Sequence, residues 1–314
     1  MTDAELTDNG LPAAGGAAET PPPPRTAADR AKASRRAWWR EVGWRHIVAV
    51  VVSLYAIFPL VFVINMAVDP NAGLASQSLF QNFSLQNFRD LFASRPFGQQ
   101  LLNTLIVGGV TAIGTVLMGA AAAYAFSRFR FEGRRFTLTF LLVVQMFPQL
   151  LAFVAIFLLV QSLGEVFPVL GMNHLSTVIA IYLGGALGVN TFLMYGFFNT
   201  VPISLDEAAK LDGATHAQIY WTIILRMVSP VLAVVGLLSF ISSFSEFVIA
   251  RLVLTDPEKW TLAVSLYDLV GNDRNPYWGM FAAGAVISAL PVLLLFLFLQ
   301  RYIVSGLTAG AVKG

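Results

Sequence analysis

Long apolar runs alternate with short polar islands along this chain. Six apolar stretches lie at about His46–Val68, Leu101–Phe126, Phe136–Leu163, Leu175–Phe198, Ile223–Leu254 and Trp278–Tyr302. Each is near the roughly 20 residues that a bilayer demands of a helix. A chain in lipid must satisfy its own backbone hydrogen bonds, so each stretch predicts a transmembrane helix. The expected fold class is therefore all-α, a polytopic membrane protein with six transmembrane helices. Three parts follow: a basic cytoplasmic tail over 1–45, a membrane domain over 46–303 and a short cytoplasmic tail over 304–314. Residues 1–36 are rich in Ala, Gly, Pro, Thr and charge. Such a composition cannot bury enough apolar surface to fold, and it predicts disorder. No apolar core near Met1 marks a signal peptide.

The most structured polar island spans 200–226. Ser204 and Glu207 have the spacing of a capping box, as do Thr215 and Gln218. Gly213 falls between them, where a helix C-cap would need a left-handed backbone. The expectation is helix, Gly hinge, helix, with Ala208 and Ala209 giving the first helix a small, close-packing face. A stiff knob of this kind at a membrane surface is a shape for docking into another protein.

Composition sharpens the class. The chain is 56% hydrophobic and 12% charged, against about 25% charged in soluble domains. No cysteine is present, so neither disulfides nor thiolate chemistry contribute. Lys and Arg are divided unevenly between the two sides of the predicted topology. Fifteen fall with the N-terminal tail, the Arg128–Arg135 loop, the Lys210–Arg226 loop and the C-terminus. Five (Arg89, Arg95, Arg251, Lys259 and Arg274) fall on the other side. The excess of positive charge predicts cytoplasmic termini and a cytoplasmic Glu207 loop. The loops over 69–100, 164–174 and 251–277 are then external, the first with a short helix around Leu85–Phe92.

Candidate chemistry is sparse. No G-x-x-x-x-G-K-[ST] loop, H-E-x-x-H pair or G-x-S-x-G elbow occurs, and the three His lie in different segments. No catalytic residue, metal site, cofactor or nucleic-acid contact is predicted, and lipid is the surrounding medium. Glu246 lies inside the fifth apolar stretch, where a charge costs about 3 kcal/mol on insertion scales. Two readings stand open for it: a polar contact in a solute pathway, or a residue near the outer boundary that is hydrated or paired with Arg251. Asn190, with Asn103, Gln145 and Gln149, reads either as part of that pathway or as interhelical hydrogen bonding. Pro148, Pro230 and Pro291 predict kinks. Gly184 and Gly188 form a small-xxx-small packing pair.

Glu207-Ala208-Ala209, three residues, Gly213, nine residues, Ile223, one residue and Leu225 resemble the EAA signature of ABC-importer permeases. That pattern continues with Pro, where this chain has Arg226 and then Pro230. The likeness extends through Trp260-Thr261-Leu262-Ala263-Val264 and Ser288-Ala289-Leu290-Pro291 to the closing Gly306-Leu307-Thr308-Ala309-Gly310-Ala311-Val312-Lys313-Gly314, which is similar to MalG-type maltose/maltodextrin permeases. The resemblance implies a type I ABC importer permease fold in a bacterial plasma membrane. Its coupling helix would carry Glu207, Ala208, Ala209, Asp212 and Gly213. It implies a MalF-type second permease, an ABC ATPase dimer that holds ATP and Mg, and an extracytoplasmic sugar-binding protein. It further implies that the loop with Trp260, Thr261 and Asn272 faces that binding protein. The substrate expected is maltose, maltodextrin or a related sugar such as trehalose. A stand-alone secondary transporter would need paired intramembrane charges or repeated broken helices. A membrane enzyme would need an assembled catalytic set.

Overall fold

The computed structural model describes residues 39–71, 79–147, 149–271 and 277–311. The expected N-terminal disorder, Pro148, Asn272 with the turn after it, and the last three residues lie outside them. The chain divides into two units, residues 1–59 and 60–314. In the first, a π-helical turn over Trp39–Gly43 leads into α1 (Trp44–Val68). There the Arg45 guanidinium lies 5.8 Å from the centre of the Trp44 ring, a cation–π contact suited to an interface.

Every regular element of the second unit is helical among the described residues. The last turn of α1, from Asn65 to Val68, is buried. A short helix, α2 (Gln86–Ser94), closes over it. The Asn87 amide donates to the Met66 and Ala67 carbonyls at 3.0 and 3.2 Å. These are orphan acceptors of a helix end, and a side-chain donor satisfies them. Then come α3 (Phe97–Arg128), α4 (Arg134–Gln145), α5 (Phe153–Val166), α6 (Leu175–Phe198), α7 (Ile203–Leu211), α8 (His216–Met227), α9 (Ser229–Ser245), α10 (Val248–Val253), α11 (Leu262–Val270) and α12 (Trp278–Ala311). The centre of the unit is α3 packed between α6 and α9, with α12 on the far side of α9 and α4 against α6.

Among the described residues, four helices are long and apolar enough to cross a membrane: Glu41–Val68, Phe97–Arg128, Leu175–Phe198 and Trp278–Tyr302. A fifth crossing is available if α8 and α9 count together, but they meet at a bend of 78°. Two of the six expected spans are interrupted near the prolines that predicted kinks. The third apolar stretch is two helices. Around Met146 and Phe147 the backbone N–H groups turn back to the Val143 and Val144 carbonyls, three residues earlier, which closes α4. Pro148 follows, and a residue before Pro is biased away from helical geometry. The fifth stretch is interrupted at Val228, just before Pro230, and again at Glu246. Pro230 therefore sits in the first turn of α9, where its missing N–H costs nothing. Pro291 does not interrupt α12, which runs on as helix to Ala311 through most of the expected tail.

Candidate functional site

The polar island folds as a helix–Gly–helix, with one capping box where the spacing suggested two. Pro202 takes the N-cap position of α7, and no side chain caps that end. Its φ of −58° and ψ of 132° already turn the chain into the helix. Ser204 thus lies one residue inside α7, and the Ser204–Glu207 box is not formed. At the other end Gly213 adopts φ +84°. The Gly213 N–H donates to Lys210 O at 3.0 Å and the Ala214 N–H to Ala209 O at 2.9 Å. These paired bonds make a Schellman cap, which fits a left-handed Gly. The second box is present. Thr215 Oγ1 accepts from the Gln218 N–H, and Gln218 Oε1 accepts from the Thr215 N–H at 2.8 Å.

The knob has two unlike faces. Ala209, Ile219, Tyr220, Ile224 and Val228 pack into one cluster with Ala120, Ala123 and Tyr124 of α3, Met194 and Phe198 of α6, and Val231 and Val235 of α9. Glu207, Ala208, Lys210, Asp212 and Gly213 are exposed, and Leu211 projects with 90% of its surface free. Of the two alanines, only Ala209 packs inward.

Sequence reasoning missed Arg128 and Asp206. The Arg128 guanidinium, at the last residue of α3, lies 2.5 Å from the Asp206 carboxylate through Nε, with both side chains almost fully buried. Its Nη1 donates to Phe198 O at 3.2 Å and its Nη2 to Val201 O at 3.0 Å. Removing one partner of a buried pair leaves a charge uncompensated, at a cost of about 3–5 kcal/mol. In the sequence, Arg128 is one of four arginines in a basic loop and Asp206 one of two adjacent acids, and nothing local pairs them.

A cavity of about 700 Å³ lies between α3, α5, α6, α9 and α10. Its lining includes Glu246 and Asn190, with the hydroxyl-bearing Thr111, Tyr182, Ser239 and Ser242. The Asn190 amide donates to Ala186 O of its own helix at 2.8 Å. Glu246 is engaged at the break between α9 and α10. Its Oε1 accepts from the Val248 and Ile249 N–H groups at 2.8 and 2.9 Å. Its Oε2 accepts from the Ala250 N–H at 3.1 Å and the Tyr182 hydroxyl at 2.5 Å. Arg251, one of the partners considered for Glu246, stacks over the Trp260 ring at 4.9 Å.

Trp260 and Thr261 are buried at 7% and 1% exposure, so they brace their loop from within. The Asn103 amide donates to Glu258 O and Trp260 O at 2.8 and 3.1 Å, which pins that loop to α3. Across the loop, Asn173 Oδ1 accepts from the Thr255 and Asp256 N–H groups at 2.7 and 2.9 Å. Thr255 to Lys259 form a run of exposed positions in that loop.

Long apolar helices, two stretches of them interrupted, with a helix–Gly–helix elbow between them, fit a transport permease. The chain belongs to the family of binding-protein-dependent transport system inner membrane components, which matches residues 115–308. It is 36% identical over 273 residues to the galactooligosaccharides transport system permease protein GanQ of Bacillus subtilis, covering 86% of this chain and 94% of that one. It is 45% identical over 214 residues to the maltose/maltodextrin permease protein MalG of Salmonella typhimurium, covering 68% and 72%. In fold it is similar to a chain of a bacterial ABC transporter that imports the acidic polysaccharide alginate. That match has a TM-score of 0.67 at 21% identity and covers 88% of this chain and 98% of the other.

Proposed function

We propose that this chain is one permease subunit of an ATP-driven importer of di- or oligosaccharides. A second permease completes the pathway, an ATPase dimer grips the elbow, and an extracytoplasmic binding protein delivers sugar. The observation that carries the reading is the elbow's construction. One face is bare, with Leu211 at its tip, and the other is packed onto α3, α6 and α9. A push on the bare face therefore passes into the helices that line the cavity, as alternating access requires. In this reading α4 and α5 together supply the sixth crossing, both termini are cytoplasmic, and ATP and Mg are bound only by the partner ATPase. The names of the relatives span maltodextrin and galactooligosaccharides, so the substrate proposed is the class and not one sugar, with trehalose a further member.

A secondary transporter is disfavoured by Glu246, whose oxygens are occupied by its own backbone and Tyr182. The test is reconstitution. Sugar uptake into proteoliposomes is expected only when partner permease, ATPase, binding protein and ATP are all present. Uptake by the purified chain alone, down a gradient or with protons, would overturn the proposal.

A further inference from the structure

We infer that Arg128 and Asp206 are the linkage through which a push on α7 reaches the membrane helices, with Arg128 as a positioning residue. This rests on the coupling reading above and adds the group that makes the coupling stiff. The argument begins with how little apolar surface holds α7. Of its nine residues only Asp206 and Ala209 are buried. One methyl group is a weak grip on a helix that must carry force, so the ionic contact is what ties α7 to α3. The preceding turn, Asn199 to Pro202, is held by the same guanidinium.

The geometry suits that task. Arg128 ends α3 and is itself fixed by burial. Its Nε lies in ion-pair contact with Asp206 of α7, without the alignment of a hydrogen bond, while Nη1 donates to Phe198 O at the end of α6 and Nη2 to Val201 O in the turn between them. Phe198 O is one of the carbonyls that a helix end leaves without an intrahelical partner. One rigid group thus joins three segments, and α7 cannot tilt without dragging the ends of α3 and α6. A lysine would carry the same charge but only as a point on a flexible stem, and could not hold three directions at once.

The test uses the complete transporter in proteoliposomes and reads sugar taken up per ATP hydrolysed, alongside the amount of assembled complex. Arg128→Lys keeps a charge facing Asp206 and is expected to lower that ratio roughly tenfold, a size usual for coupling between sites, with assembly and ATP hydrolysis largely kept; Asp206→Asn, which strands Arg128, is expected to lower both the ratio and the amount of assembled complex. Because the chain has no native cysteine, Arg128→Cys combined with Asp206→Cys can be bridged by a short bifunctional thiol reagent. Bridging is expected to restore the ratio relative to the unbridged double variant. An unchanged ratio in both single variants overturns the inference. So does a parallel fall of hydrolysis, uptake and assembled complex in Arg128→Lys, which would make the pair a folding element only. Leu211→Asp, on the bare face, tests the underlying reading separately. If it leaves hydrolysis and uptake intact, the elbow is not the docking site. If it disrupts them while Arg128→Lys does not, only the linkage fails.

Discussion

Glu246 is held by three backbone N–H groups and one phenol, so its carboxylate serves the break between α9 and α10. Hydrogen bonds to a charged group are worth about 1.5–3 kcal/mol. Tyr182→Phe is therefore expected to destabilise the protein by about 2 kcal/mol, seen as a lower melting temperature in detergent, because the carboxylate loses one donor. An unchanged Tm would show that this hydroxyl contributes nothing. Gly213 makes the opposite kind of demand. A Cβ added there meets nothing within 4 Å, so the constraint is its φ of +84° alone. Gly213→Ala should cost about 1–2 kcal/mol of elbow stability through backbone strain. Proteolysis between Leu211 and Thr215 would report it as faster nicking at an intact level of membrane insertion. Gly213 was legible in the sequence because a capping signal is local. The role of Glu246 was not, because Tyr182 lies 64 residues away.

At the scale of elements, the packing of α4 on α6 depends on one glycine of the expected pair. A Cβ at Gly188 would lie 2.6 Å from the Gln145 amide nitrogen and 3.0 Å from Leu141 O, whereas one at Gly184 meets nothing within 4 Å. Gln145 also donates to Gly185 O at 2.9 Å, an interhelical bond of the kind expected for it. Gly188→Leu should then pry the two helices apart and lower the yield of folded protein, while Gly184→Ala should be neutral or slightly stabilising. Equal effects at the two sites would refute this. The small-xxx-small spacing marked both, since only the neighbour's position tells which one is in contact. The start of α8 behaves as its sequence suggests, because Thr215 and Gln218 are three residues apart and need no third party. Removing that cap by Thr215→Ala should cost about 1 kcal/mol.

At the scale of the molecule, the broken α8–α9 pair matters most. The 78° bend lays α8 across the ends of α3, α6 and α9, which gives the elbow a broad seat. If that end is cytoplasmic, Leu211→Cys should react with a membrane-impermeant thiol reagent in inside-out vesicles and not in intact cells. Labelling from outside would reverse the topology and remove the proposed ATPase contact. Residue order and composition by themselves determined the membrane class, the places where apolar helices run, and the Gly-hinged elbow, for these follow from local periodicity, hydrophobic length and short-range capping. Only the tertiary structure decided that Pro291 stays within a continuous helix, that Arg128 meets Asp206, that Arg251 turns to Trp260 and that Glu246 caps a helix. Each of these depends on which groups converge in space once the helices pack, and a buried charge takes whatever partner that packing brings within reach.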